Sequence, residues 1–424
     1  MKLLVVGGGG REHAIIKKLK ENPSVTKIYA APGNGGIAAD AECVPIAATQ
    51  IDALVQFAVQ AQVEYAVVAP DDPLVLGAVD ALTAAGIPCF GPNKAAAILE
   101  GSKVFAKNLM KKYGIPTAAY AAFDDVNAAL AYLETAPVPV VVKADGLALG
   151  KGVIIANTRQ EARQAVVSMM EDGKFGLSGR QVVIEEFLTG PEVSVLAFTD
   201  GETVVPMVSS MDHKRALDGD RGLNTGGMGT IAPNPFYTAE IAERCMQTIF
   251  LPTIRAMAAE GRPFRGCLYF GLMLTPDGPR VIEYNCRFGD PETQVVLPLL
   301  KSDLLTVMQA TTNGTLAHTP VEFSNQSACC VVMASDGYPQ KYETGFPLTI
   351  EPAAAPYVFV AGAKRQADGL VTAGGRVVGV TAVCDDLPAA VEEAYRRVQQ
   401  VHFENACYRK DIGARALQAL RKEH

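Results

Sequence analysis

Glu283 and Asn285 stand two residues apart in the apolar run RVIEYN (280–285). In an extended strand the side chains of 281, 283 and 285 share one face, and the two oxygen-bearing groups lie roughly 6.6 Å apart along it. A carboxylate and an amide oxygen in that arrangement suit a hard cation such as Mg2+. Two protein oxygens suffice when nucleotide phosphates supply the other ligands. A Glu within an apolar strand is costly unless paired or coordinated, which favours a metal. Arg287 and Asp290 follow in a Gly-containing turn, where the plain structural alternative is a salt bridge between them.

Lys143 ends the apolar run VPVVVK and leads into ADGLALGKG (144–152). Gly146, Gly150 and Gly152 would let this loop move and let its backbone approach phosphates. It is not a phosphate-binding loop of the Walker type, because the spacing is one residue short and Gly152 replaces the Ser/Thr that would bind magnesium. The reading is a lid over a nucleotide, with Lys143 beneath it and Lys103 nearby; the alternative is a pair of solvated lysines. Glu185 and Glu186 end the run VVIEEFL, where neighbouring residues face opposite ways. One acid would meet solvent and the other a ligand. The backbone of Phe187 and Leu188 would offer groups to an adenine edge, and Glu192 is a candidate for ribose hydroxyls. A solvated face is the competing reading for each.

Gly7, Gly8, Gly9 and Gly10 follow a strand-like run and open a helix, where backbone N–H groups can hold a phosphate. A dinucleotide site is rejected: Glu12 occupies the place of the third glycine in G-x-G-x-x-G, and the next strand ends in Ala30, Ala31 and Pro32 with no acid for a ribose. Arg11 beside the loop favours an anion. A tight strand-to-helix turn explains the glycines about equally well.

These groups need elements to hold them. The chain has 424 residues, enough for about three domains. Residues 1–100 alternate strand-like (2–6, 27–32, 65–70) and helix-like stretches, which predicts an open parallel sheet. A helix capped by Ser102 follows, then strands near 138–143, 181–188, 192–198, 203–208 and 280–285, with a long helix over about 239–260. Strands and turns resume after Asn325, with a final amphipathic helix over about 388–402. The formal charge of −7 argues against nucleic acid as a partner, so anionic substrates need local cations. No apolar run reaches the ~20 residues of a membrane helix, and the first residues lack a signal-peptide core. The nine Cys form no CxxC pair and read as reduced thiols of a cytoplasmic protein. The five His show no metal-ligand spacing.

In order along the chain stand GGREHA (9–14), APGN (31–34), FGP (90–92), LEGSK (99–103), KADGLALGKGV (143–153), IEEFL (184–188), DHKR (212–215), NTGGMG (224–229), IEYNCRFGDPETQ (282–294) and RKDIG (409–413). Together they resemble the ATP-grasp superfamily and, within it, the glycinamide ribonucleotide synthetase family. The resemblance covers essentially the whole chain, with RFGDPETQ and NTGGMG its most specific parts. It implies an α/β and α+β multidomain fold: a parallel-sheet domain over 1–102, a two-lobed ATP-grasp core over 103–325 with a lid at about 123–190, and a mixed α/β domain over 326–424. It also implies that ATP drives the joining of glycine to 5-phosphoribosylamine through a glycyl phosphate, in de novo purine synthesis.

The residues then take roles by resemblance. Glu283 and Asn285 hold Mg2+ or Mn2+. Lys103, Lys143, Gly146, Gly150, Gly152, Glu185, Glu186, Phe187, Leu188 and Glu192 bind ATP. Arg287 and Lys143 act in catalysis. Gly9, Gly10, Arg11, Asp212, Lys214, Asn224, Gly226, Gly227, Asp290, Pro291 and Glu292, with Arg287, bind the other substrates; Asp212 suits an amine and Lys214 a phosphate. A cytoplasmic monomer or weak dimer is expected. Gly8 stands where the family commonly has Asn, and Asp71 where it commonly has Glu. Competing readings are another ATP-grasp enzyme of purine synthesis, such as a carboxylase or formyl transferase, a nicotinamide oxidoreductase, and a non-catalytic nucleotide-binding protein.

Overall fold

The computed structural model describes residues 1–147, 152–172 and 176–422. Its first sheet runs Glu42–Cys43, Lys27–Pro32, Lys2–Gly7, Tyr65–Val68, Cys89–Phe90, and every pairing in it is parallel. The central strand is apolar on both faces because helices cover both; Leu3, Leu4, Val5 and Val6 are fully buried.

A second sheet orders Val204–Pro206, Glu192–Thr199, Gly266–Thr275 and Gly278–Asn285, all antiparallel. The helix Lys103–Tyr113 packs on it; Ser102 caps that helix by accepting from the Phe105 N–H. A third sheet, Tyr120–Phe123, Val182–Glu186, Val140–Ala144 and Val153–Ala156, has its own apolar cluster with the helices Val126–Leu133 and Arg159–Met170. It stands over one edge of the second.

The last large sheet is built across the chain. Met211–Asp212 and Gly229–Ala232 pair with each other and, through Gly229–Ala232, with Ser327–Ser335, which continues into Arg376–Cys384 and Val358–Val360. One core therefore contains Leu3 and Val5, Phe198 and Phe288, and Ala328 and Cys330 together. The functional residues sit on the seam between these sheets.

Two elements differ from expectation. The helix over 239–260 is two stretches, Ala239–Cys245 and Leu251–Ala259, joined by a π-type turn at Met246–Phe250. The amphipathic helix is Leu387–Val398, and it is not the last: Ala414–Lys422 follows. No described helix is long and apolar enough to cross a membrane. The nine cysteines are free thiols.

Candidate active site

Strand alternation through 280–285 is broken. Gly271 pairs with Glu283, and the next residue, Leu272, pairs with Val281, so Ile282 is the extra residue of a bulge. Val281 therefore points into the core with Tyr284, and it does not share a face with Glu283 and Asn285 as strict alternation predicts. Glu283 and Asn285, in unbroken register with Gly271 and Tyr269, keep the common face. Gly271 makes room for them: a Cβ there would stand 3.1 Å from the Glu283 Cγ.

The bulge also positions a cation. Lys143 Nζ donates to the Ile282 carbonyl at 3.1 Å, tying the third sheet to the second. Lys143 also pairs with Glu185, and so does Lys107 from the helix Lys103–Tyr113. Glu185 is thus a buried anion gripped by two buried cations; burial raises its carboxyl, and Lys143 and Lys107 outweigh that and hold it below its ordinary value. Lys107 was not visible in the sequence as a site residue. Its Nζ also donates to Thr117 Oγ1 at 2.8 Å, which donates to the Val281 carbonyl at 2.7 Å. Glu186 faces outward, near Arg280 and the Ala119 N–H. The amides of Phe187 and Leu188 follow the last sheet pairing and have no hydrogen-bond partner among the described residues.

Lys103 Nζ donates to the Gly146 carbonyl at 2.9 Å, and the Gly152 carbonyl accepts from the Ala144 N–H at 2.8 Å. Gly150 lies outside the described residues. Burial lowers the Lys103 ammonium, against the pull of Glu283. Burial raises the Glu283 carboxyl, and Lys214, Lys143, Lys103 and Arg287 together hold it below its usual range. Lys214, the one ion-pair partner of this carboxylate among the described residues, stands 3.8 Å away.

Glu283 and Asn285 fit a divalent cation on donor chemistry: two hard oxygens on one face, with no described cluster of three acidic or Cys/His side chains to complete a protein-only site.

Arg287 and Asp290 do not pair with each other. Arg287 Nη2 meets Glu100 Oε1 at 3.1 Å and Asp71 Oδ2 at 3.9 Å, both from the first domain, and donates to Asn285 Oδ1 at 3.2 Å. Its Nε is buried without a partner. Burial pushes the Glu100 carboxyl up to about 7, against Arg287. Asp290 instead accepts from Gln294 Nε2 at 2.7 Å and faces Arg376 at 3.4 Å.

Arg11, Gly9 and Lys214, each expected at a substrate, meet groups of the protein itself. Arg11 is turned to Glu12 and to the Phe288 carbonyl at 3.2 Å, so its charge is committed inside the protein. Glu12 also accepts the Gly9 N–H, filling the helix N-terminus that a phosphate would use. Gly9 and Gly10 lie instead against Asp290 and Gln294. Lys214, expected to hold a phosphate of the second substrate, bridges Glu192 at 3.1 Å and Glu283, on the metal side; Glu192 is correspondingly engaged by Lys214. Gly8 has a steric reason: a Cβ there would lie 2.3 Å from the Gly33 carbonyl oxygen.

Asp212 presents a buried Oδ1 with no partner. Burial, then the neighbouring Glu292, raise its carboxyl well above the ordinary range, against Lys214 and Arg376. Burial likewise raises Glu292, which lies within 3.4 Å of the Ser194 hydroxyl. Gly227, at φ +114°, is the one residue type that fits beside it: a Cβ would meet Pro291 Cδ at 2.5 Å and Asp212 Oδ1 at 2.6 Å. Asn224 ends the strand Arg221–Asn224 that leads into this loop. The site thus has an acceptor-rich side, around Asp212 and Glu292, and a cation-rich side, around Glu283. Such a pair can neutralise a polyphosphate on one side and receive a hydrogen-bond donor on the other.

The phosphoribosylglycinamide synthetase family matches the chain in three consecutive parts: its N domain over residues 1–100, its ATP-grasp (A) domain over 101–293 and its C domain over 328–415. The chain is 48% identical over 415 residues to a phosphoribosylamine–glycine ligase of Caldanaerobacter subterraneus, covering 98% of this chain and 100% of that protein. It superposes on the crystal structure of phosphoribosylamine–glycine ligase from Thermotoga maritima with a TM-score of 0.86 and 34% identity, covering 97% and 100% of the two chains. Biotin carboxylase from Campylobacter jejuni, at 14% identity with coverage of 96% and 92%, shares the fold with a TM-score of 0.74.

Proposed function

We infer that this chain, which belongs to the phosphoribosylglycinamide synthetase family, catalyses the reaction that names its relatives, the ATP-dependent ligation of glycine to 5-phosphoribosylamine in purine biosynthesis. The observation that carries the reading from family to site is that Glu283 and Asn285 share one strand face, with Lys214 3.8 Å from Glu283 and Lys143 on the adjoining Ile282 carbonyl.

The finer reading is a glycyl phosphate route. A glycine carboxylate oxygen attacks the ATP γ-phosphorus, the bond to ADP breaks, and glycyl phosphate forms. The amine nitrogen of phosphoribosylamine then attacks the carbonyl carbon; the C–N bond forms, the C–O bond to phosphate breaks, and the nitrogen loses a proton. Glu283 and Asn285 would hold Mg2+, or Mn2+ in its place, which supplies charge neutralisation at the phosphates. Lys103 and Lys143 take up the remaining phosphate charge, since phosphoryl transfer demands positioning and electrostatics more than covalent help. Arg287, fixed by Glu100 and Asn285, has a buried Nε free to donate to the carboxylate or acyl phosphate. The free amides of Phe187 and Leu188 suit an adenine edge. Asp212 is the acceptor for the amine, with Gly226, Gly227 and Pro291 shaping the approach.

The acidic net charge supports small-molecule partners rather than nucleic acid, and the reading carries a cytoplasmic enzyme working as a monomer or weak dimer. The test is ADP release with glycine and freshly made phosphoribosylamine, omitting each in turn. Turnover should need both; ADP release with bicarbonate or formate in place of glycine would overturn the reading.

A further inference from the structure

Arg376 lies in the last large sheet, outside every motif discussed above, yet its guanidinium reaches the 224–229 loop and the 287–292 turn. Nη1 donates to the carbonyls of Gly226 at 2.7 Å, Gly227 at 3.4 Å and Asp290 at 2.8 Å, and Nη2 faces Asp290 Oδ2 at 3.4 Å. It thereby joins two segments that no strand pairing joins: the 224–229 loop and the 287–292 turn. A second group from the same domain supports the loop, since the Gly226 N–H donates to the Tyr338 hydroxyl at 3.1 Å. Gly375 is what lets Tyr338 lie there, because a Cβ on it would fall 2.2 Å from the ring.

What this clamp holds in place is an unsatisfied acceptor. Gly227 leaves room for that oxygen, because a Cβ on it would stand 2.6 Å from Asp212 Oδ1, so a shift of the Gly226–Gly227 backbone changes the space the carboxylate has. The strands continue the same logic: Asp212, Thr230, Cys330 and Thr381 form one row of directly paired residues across the sheet. The Thr381 hydroxyl donates to the Gln294 carbonyl at 3.2 Å. Asp212 Oδ1, Thr230 Oγ1 and Gln294 Oε1 are all buried without partners. Of the three residues only Asp212 is not fully buried, and its carboxylate oxygen calls for an N–H or O–H donor.

We propose that Arg376 of the carboxy-terminal domain is a positioning residue for the amine substrate: by clamping the Gly226–Gly227 backbone to the Asp290 turn, it aims the Asp212 carboxylate at the amine. This rests on the ligase reading above. Among the described residues, none of its hydrogen-bond partners is a group assigned to ATP, so the effect is selective.

The experiment is steady-state kinetics of the full chain, with the thermal midpoint measured alongside. Arg376→Met should raise the KM for phosphoribosylamine roughly tenfold or more, the scale of a lost charge-assisted bond, and leave the KM for ATP within about twofold. Arg376→Lys should recover little of the loss, because one ammonium cannot span carbonyls on two segments. Gly226→Ala attacks the clamp from the other side, with its Cβ 2.9 Å from the Arg376 Cζ, and should give the same selective pattern; it decides the matter should Arg376→Met fail to fold. Equal rises in both KM values, or unchanged KM values in the folded variants, would overturn the proposal. Absence of turnover in the wild type sinks the ligase reading instead.

Discussion

Lys143 reaches from the third sheet to the Ile282 carbonyl, 3.1 Å away, and that carbonyl lies off the strand ladder because Ile282 is the bulged residue between Val281 and Glu283. One irregularity thus does two things: it turns Glu283 and Asn285 to the open face, and it gives Lys143 a fixed anchor beside them.

The two lysines on Glu185 should separate by role. On the proposed route Lys143 also faces the ATP phosphates, so Lys143→Met should lower turnover roughly a hundredfold or more. Lys107→Met removes a structural partner. It leaves a buried carboxylate half-compensated, which should cost roughly 3 kcal/mol. Urea unfolding followed by lid fluorescence labels, beside ADP release, distinguishes them; equal stability loss with no kinetic difference would contradict the assignment.

Glu283→Gln should nearly abolish ADP release while the protein stays folded. Gly271→Ala should act on the same carboxylate indirectly, since its Cβ would press on the Glu283 methylene at 3.1 Å. We expect roughly a tenfold rise in the Mg2+ concentration needed for half-maximal turnover, the usual scale for disturbed support of a metal ligand. An unchanged Mg2+ requirement in both variants removes Glu283 from the metal site.

His213 provides a pH prediction. Its ring is buried and neutral, with Nε2 accepting from the Gly413 N–H and Nδ1 facing the Gly229 carbonyl at 3.1 Å. Burial, then Arg409, lower it to about 4 from an ordinary 6.5. A base whose folded pKa is depressed binds its proton more readily in the unfolded chain. Its contribution is therefore intact above 6.5 and is lost as pH falls towards about 4, by roughly 3 kcal/mol. Chemical unfolding from pH 7 to pH 4 should show a shallower loss in His213→Gln than in the wild type; parallel curves would refute it.

The sequence made legible what local pattern controls. Ser102 announces its helix, the apolar runs announce the parallel sheet, and the shared strand face of Glu283 and Asn285 is readable from their spacing. What it hid depends on tertiary register or distant partners. The bulge at Ile282 leaves no trace in an apolar run, so strict alternation places Val281 on the face of Glu283 while the structure turns it into the core. Lys107 reads as one more lysine in KVFAKNLMKK, and only packing brings it to Glu185. Arg376 follows two glycines in a strand-and-turn region, where its reach to the 224–229 loop is set by the sheet order. Arg11 and Lys214 were recognisable as important cations, but which anion each would meet was a question of three-dimensional position: Glu12 for the first, Glu192 and Glu283 for the second.

On the proposed route the glycine carboxylate is activated by phosphorylation before the amine attacks. Glycine labelled with 18O in its carboxylate, turned over with ATP and phosphoribosylamine, tests it by mass analysis of the released phosphate. The account predicts one labelled oxygen transferred to phosphate for each amide bond formed. Unlabelled phosphate accompanying normal product formation would contradict it.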